Sequence, residues 1–512
     1  MVRLICRAIS VCVLQFLCLI ALSPAQAADS ANRQSGAMPG YRFQSGGWTY
    51  VHLEGTPAEI GFQHGQLLSA EIEDMVGVVK LESTHDTKRD WEFFREAGRK
   101  MFWPQIDLEY RQELEGIAKG VRSKGVKLDV WDIVALNGGI ELPQYYVPWL
   151  NKHDKSQSAA NPPHILPSGR CSAFIATGSY TKGGKIVIAH NNWAPYAEGS
   201  RWTVIFDIQP AHGHRILMDG EPGVITSQDD FGVNDAGIMI TETTITQFIG
   251  WNPDGKPEFV RSRKALQYAG SIDEYASIIK DGNNGGYAND WLIGDRKTGE
   301  IAYLELGLKN TPLWRSKDGY FVSTNFARDP QLIKDETDHF DLGNLSSSPN
   351  ARRIAAERQI QQAKGQIDVQ MAEQFLSDHA DSFTGRVEAD ERSLCGHVDR
   401  AKEGIPVFDW GPYFPGGSVT GKVTDSDLAG KLSLIGHAGH PCGEDFLAAP
   451  FLVAHPEYGY LKPILKDMKS GPWTTFVAAE KQPSQTAAAT ASGVAAATIS
   501  RIESMTRSGS SR

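Results

Sequence analysis

The chain changes its periodicity at Cys171, and that change limits what it can become. Before it, apolar residues recur at helical spacing; after it come short β-type runs joined by turn residues. The junction reads GRCSAFIATG from Gly169, entered from a polar, proline-rich approach (NPPHILPSGR) and followed by KIVIAHNNW. Strand clusters followed by further helices define an α+β chain in which helices cover antiparallel sheets. A cysteine opening a strand after a flexible approach also stands where cleavage of the Arg170–Cys171 bond would make it an N-terminus. Its freed α-amine, with an ordinary pKa of about 7.7 to 8.0, is then a base for its own thiol. Without such a cut, a cysteine in this position is simply a small buried apolar residue.

The stretch before the junction is mostly helical. Residues 46–54 (GGWTYVHLE) form a strand, and Thr56-Pro57 with Glu59 supplies an N-cap, a first-turn proline and a capping-box acid. The helix that follows places Ile60, Leu67, Leu68, Ile72, Met75 and Val76 on one side. Gly61 and Gly65, four apart on it, either admit another backbone closely or are tolerated glycines. A second amphipathic helix runs from Pro104 to Ser123 and stops at Gly125, and Asp129 caps a third. Residues 151–170 read as an exposed linker.

Beyond Cys171, the runs CSAFIATG, KIVIAHNNW, WTVIFDIQ, HRILMDG, GVITSQDDFGV, GIMITETTI, WLIGDRKT and EIAYLELG are expected strands. Turns at 182–184, 234–237 and 297–299 join them into antiparallel hairpins. Helices return at about 271–281, where Ser271 and Glu274 form a capping box, and at 350–364 and 368–379. The segment from 481 to 512 is rich in Ala, Ser and Thr and is expected to be a disordered tail.

Residues 1–27 read as a secretory leader: Arg3 and Arg7, an apolar core from Ile9 to Leu22, and a small-x-small end at Ala25-Gln26-Ala27. Three of the six cysteines leave with it, so Cys171, Cys395 and Cys442 remain. In an oxidising compartment an odd count suggests one bridge and one thiol kept apart, with Cys395 and Cys442 the pair. The competing use of these residues is a zinc site drawn from Cys395, His397, His437, His440 and Cys442, whose spacing matches no common structural pattern. The expectation is therefore no metal and no organic cofactor. A net charge of −10, from 61 acidic against 51 basic residues, argues against nucleic acid as a partner.

A longer series of motifs carries a resemblance. GRCSAF, AHNNWAPY, GEPGVITSQDDFGVNDAGIMITETTI, NNGGYANDWLIGDRKTGEIAYLELG, VSTNF and PGGSVTGKVTD follow one another in the order seen in the phospholipase B-like family, which they resemble. The earlier LEGTPAEIGFQHGQLL and ELEGIAKG resemble the acyl-coenzyme A:6-aminopenicillanic acid acyltransferase family, of the C45 peptidase type. The resemblance implies the four-layer αββα sandwich of N-terminal-nucleophile hydrolases, with a helical small chain at 28–150 and a catalytic chain at 171–480. It implies that Cys171 is the nucleophile, that His190 and Asn192 orient its amine and thiol, and that Asn289 donates to the oxyanion. Trp193, Asp229, Asp230, Thr244 and Asn325 are the expected substrate-binding set.

The expected function is that of an exported, self-processing hydrolase of an acyl ester or amide, acting on a small-molecule or lipid acyl substrate. The alternatives are a C45-type acyltransferase or N-acyl amide or β-lactam amidase, and a secreted binding protein that kept the fold without catalysis. The expected location is periplasmic or secreted, ahead of a lysosome-like compartment, and a homodimer is compatible with the sequence.

Overall fold

The computed structural model of the chain describes residues 40–154, 171–228 and 231–478. The expected leader, most of the linker including Arg170, Asp229 and Asp230, and the tail lie outside the described residues. The first elements are a hairpin, β1 (Tyr41–Ser45) and β2 (Trp48–Gly55), and then helix α1 (Pro57–Leu67). The Thr56 hydroxyl accepts the N–H of Glu59 at 3.4 Å and the Glu59 carboxylate accepts the N–H of Thr56 at 2.8 Å, so the capping box closes both ways. The apolar stripe does not run on in one helix: α1 ends at Leu67 and α2 (Ser69–Thr87) begins two residues later.

Helix α3 (Leu108–Ser123) packs on α1 through glycine. A Cβ on Gly61 would stand 2.0 Å from the Glu113 carbonyl oxygen, one on Gly65 2.1 Å from that of Ile117, and one on Gly120 2.2 Å from that of Phe62. The two backbones therefore touch, as the spacing of Gly61 and Gly65 allows. Helix α4 (Val130–Asn137) starts at Asp129, whose capping box is closed by Asp132.

From Cys171 the chain is laid down mainly as strands. These are β3 (Cys171–Gly178), β4 (Gly184–Pro195), β5 (Val204–Pro210), β6 (Ile216–Gly220), β7 (Gly232–Asn234) and β8 (Ile238–Thr244). Helices α5 (Glu258–Tyr268) and α6 (Ile272–Lys280) precede β9 (Asn289–Asp295), β10 (Glu300–Leu306), β11 (Leu313–Ser316) and β12 (Gly319–Ser323). Helices α7 (Ser348–Gln362) and α8 (Val369–Leu376) lead to β13 (Gly416–Asp425), β14 (Ser433–Ala438) and β15 (Thr474–Val477). The Ser271 cap forms as expected, but the Glu274 carboxylate accepts from Gly270 N–H instead of closing a box on Ser271.

The described strands make two sheets, ordered β1-β2-β5-β6-β7-β8-β9-β10-β11 and β12-β3-β4-β13-β14-β15. One packed cluster joins Ala173, Ile175, Ile186 and Ile188 of the second sheet to Ile205, Leu217, Met239 and Leu292 of the first, so the sheets face each other. The other face of the long sheet (Val51, Phe206, Ile240, Ile293) packs on α1 to α6. The other face of the short sheet (Phe174, Val187, Val423) packs on α7 and α8. The result is the four-layer αββα sandwich that the resemblance implied.

Two expectations are corrected. The pairing is not wholly antiparallel, because β2 runs parallel to β5; the entire helical segment and two strands intervene, long enough to return the chain in the same direction. Among its described residues, the stretch GVITSQDDFGV is strand only at its end, where β7 (Gly232–Asn234) begins. Gly223 at φ +89° and Gln228 at φ +65° break the extended run before it. Among the described residues no helix is long and apolar enough to cross a membrane.

Candidate active site

Cys171 opens β3, an inner strand, and is fully buried. Alternation puts it on the side of Ala173 and Ile175, which face the opposite sheet. Its register partner on β4 is Asn192, and Ala173 is partnered by His190, so both β4 side chains share the Cys171 face. The rows continue onto β13 as Thr420 beside Asn192 and Lys422 beside His190. The Asn192 side-chain Nδ2 is buried and has no hydrogen-bond partner among the described residues.

The backbone nitrogen of Cys171 donates to Asn325 Oδ1 at 3.0 Å. Asn325 follows the edge strand β12 with a left-handed backbone, φ +70°. Its Nδ2 donates to the Thr244 carbonyl at 3.0 Å, and its own N–H to Thr243 Oγ1 at 3.2 Å. From Thr243 the chain of hydrogen bonds runs through Ser323 to Asp290, at 2.5 and 2.9 Å. Burial, with the charge of Glu305 nearby, pushes the Asp290 carboxyl well above its ordinary range.

Arg352, on α7, completes this corner and was not foreseen. Its guanidinium donates to the Cys171 carbonyl at 2.5 Å, to Ser172 Oγ at 2.9 Å and to Asn325 Oδ1 at 2.9 Å. It also lies 4.3 Å from the Trp193 ring. Complete burial brings its pKa down to about 9. In the sequence it is one of two adjacent arginines in an ordinary helical stretch, with nothing to mark it. A second unforeseen feature had a signal: Lys422 interrupts the small and apolar run PGGSVTGKVTD. It forms a fully buried 2.9 Å ion pair with Asp219 on the facing sheet, beside His190.

The remaining expected residues fall on different sides. Asn289 and its register partner Thr244 share a face with Trp291, Ile293 and Ile240, which pack on the helices, whereas Asp290 faces the other sheet. Trp193 lies on the helix side of β4, among Val398, Ile405, Phe408 and Trp410, where it supports Arg352 instead of walling the thiol. A cleft of about 510 Å³ lies past that aromatic group, lined by Pro195, Phe408, Trp410 and Tyr460, and not at Cys171.

The expected bridge between Cys395 and Cys442 is not formed, since both are free cysteines. Their sulfurs instead share His397 Nε2, at 3.7 and 3.5 Å.

The candidate site is thus a cysteine heading an inner strand of an αββα sandwich, with its backbone nitrogen held by a buried amide. The resemblance to phospholipase B-like proteins is borne out: the Phospholipase B family model matches residues 76–305. The chain is 25% identical over 276 residues to an uncharacterized protein of Archaeoglobus fulgidus, covering 50% of this chain and 43% of that one. It is 31% identical over 141 residues to phospholipase B-like protein F of Dictyostelium discoideum, 25% of this chain and 24% of the other. With phospholipase B-like protein C of that organism it shares 23% over 211 residues, 38% of this chain and 37% of the other. It thus spans less than half the length of these curated relatives. Among solved structures it is similar to a mutant conjugated bile acid hydrolase from Clostridium perfringens. The identity is 13% and the TM-score 0.31, over 52% of this chain and 89% of that one.

Proposed function

We propose that the chain is an exported hydrolase that frees Cys171 as its N-terminus and then uses it to deacylate an acyl ester or amide. The observation that carries this reading is the 3.0 Å contact from the Cys171 nitrogen to Asn325 Oδ1. In the uncut chain that nitrogen is a peptide N–H; in a chain beginning at Cys171 it is the α-amine, already oriented by a buried acceptor. In the processing step the thiol attacks the Arg170 carbonyl carbon, the peptide C–N bond breaks, and water resolves the thioester. In turnover the α-amine takes the thiol proton as sulfur attacks the substrate carbonyl. The oxyanion falls to Asn192, whose Nδ2 has no other partner among the described residues and which shares the Cys171 face, since Asn289 points toward the helices. The ammonium returns its proton to the departing alcohol or amine, and water releases the acid.

The names of the relatives favour a lipid acyl ester, and N-acyl amides are the next class. The leader pattern at 1–27 supports export. Mass spectrometry of the purified protein should find a chain beginning at Cys171, absent in Cys171→Ala. Cleavage that persists in that variant removes self-processing from the mechanism. Lysophospholipids, N-acyl amides and β-lactams form the activity panel, and silence of the processed protein on all three favours a binding protein on the same fold.

A further inference from the structure

We propose that His379, Cys395, His397 and Cys442 hold one structural zinc ion. Each offers one donor atom, and the four atoms lie within 4.8 Å of one another. A tetrahedral zinc with bonds of about 2.3 Å to sulfur and about 2.0 Å to nitrogen puts sulfur and nitrogen ligands about 3.5 Å apart. The two sulfur-to-His397 Nε2 distances, 3.7 and 3.5 Å, lie close to that edge. Cys395 and His397 are fully buried, and His379 Nε2 has no hydrogen-bond partner among the described residues.

The sequence alone concealed the site because its ligands come from two connections and one of them stands apart from the Cys/His clusters. His379, Cys395 and His397 lie in the loop after α8, and Cys442 in the turn after β14. The other histidines considered pack instead of ligating: the His440 ring lies tilted against that of His397, with centroids 4.1 Å apart, and His437 meets Trp473. Two thiolates and two neutral imidazoles balance the charge of Zn²⁺, and binding releases the two thiol protons to solvent. Four protein ligands fill the coordination sphere, so the ion takes no part in catalysis and fastens chain to chain.

What it fastens is the support of the nucleophile strand. The Leu394 carbonyl, next to Cys395, accepts from Asn191 Nδ2 at 2.9 Å and from Trp193 Nε1 at 3.3 Å. Gly396 lies so close to the Trp193 ring that a Cβ there would stand 2.1 Å from it. Trp193 in turn carries Arg352, which holds the Cys171 carbonyl. The metal therefore pins the loop against which Trp193 is seated.

Elemental analysis of the full-length protein, purified without chelator, should give about one zinc per chain. Cobalt exchanged into the site should show thiolate-to-metal charge transfer and the intense visible bands of a tetrahedral ion. Cys395 and Cys442 should resist alkylation until the metal is chelated, and chelation should lower the melting temperature. Cys442→Ser and His379→Ala should lose the metal, whereas His437→Ala should keep it. The cobalt spectrum of the unmutated protein decides the matter even where a variant fails to fold. A Cys395–Cys442 disulfide, seen as a mass two hydrogens lighter that resists alkylation without reductant, overturns the proposal. So does a metal-free protein with both thiols reactive that takes up no added zinc, and so does zinc retained by both ligand variants.

Discussion

Asn325 adopts a left-handed backbone at φ +70° and, in that pose, accepts the N–H of Cys171 on its side-chain oxygen at 3.0 Å. The strain and the contact belong together, because asparagine tolerates this backbone better than other residues with a Cβ. Asn325→Gly keeps the backbone and removes the amide, so it should lower kcat by about 10²-fold with the fold retained. Asn325→Ala should lose the same activity and be about 1 kcal/mol less stable than the glycine variant in urea unfolding. Equal stability of the two would show that the backbone is not strained.

Arg352 donates to a backbone carbonyl, a hydroxyl and the Asn325 amide oxygen from a fully buried position. A lysine retains the charge and loses the planar fork that makes these contacts together. Arg352→Lys should therefore be destabilised by about 2–4 kcal/mol, the cost of leaving several buried acceptors unpaired. It should also slow release of the Cys171 terminus, followed by the ratio of cut to uncut chain. A variant as stable as the parent would mean that water or lysine satisfies the corner.

The helical and strand segments could be read because their signals are local. Thr56 with Glu59, and Asp129 with Asp132, cap helices through neighbours three residues away. The hairpin turns at 182–184 and 234–237 are equally local. What escaped depends on contacts across the fold. Arg352 reaches Cys171 over 181 residues of sequence, and His379 joins Cys442 from a different connection. Asn289 shows the same limit from the other side. Its motif was legible, but which face it takes is set by Trp291 and Ile293 packing on the helices. The break in GVITSQDDFGV is also tertiary, since Asn137 and His64 bond the backbone of Gly223 and Ile225.

The glycines of the α1–α3 contact and the exposed glycine of α2 should respond oppositely to the same substitution. A methyl on Gly61 or Gly65 meets a backbone carbonyl at 2.0 or 2.1 Å, which neither helix can relieve without moving apart. Gly61→Ala and Gly65→Ala should each cost about 1–3 kcal/mol or more. Gly77, with nothing within 4 Å of its would-be Cβ, should gain up to about 1 kcal/mol as alanine. Urea midpoints of the three variants check the contrast, and loss of stability in Gly77→Ala would contradict it.

His64 supplies the pH dependence. It is buried on α1, its Nε2 accepts the Gly223 N–H at 2.9 Å, and burial lowers its pKa from 6.5 to about 3. The fold holds the neutral ring, so below pH 6.5 the unfolded chain binds the proton and the folded chain does not. Stability from this group is complete above about pH 6.5 and falls as the pH drops toward 3, by about 1.4 kcal/mol per pH unit. His64→Gln retains an acceptor for Gly223 without a titrating ring. The variant should be less stable than the parent at pH 7.5, where its packing on Phe206 is missed. Between pH 7.5 and 5.0 that gap should narrow by about 2 kcal/mol, because only the parent loses stability through this residue. Denaturant unfolding of both proteins at the two pH values measures it. A gap that stays constant would mean that His64 is protonated in the folded protein at pH 5.0, and that the bond to Gly223 is made in some other way.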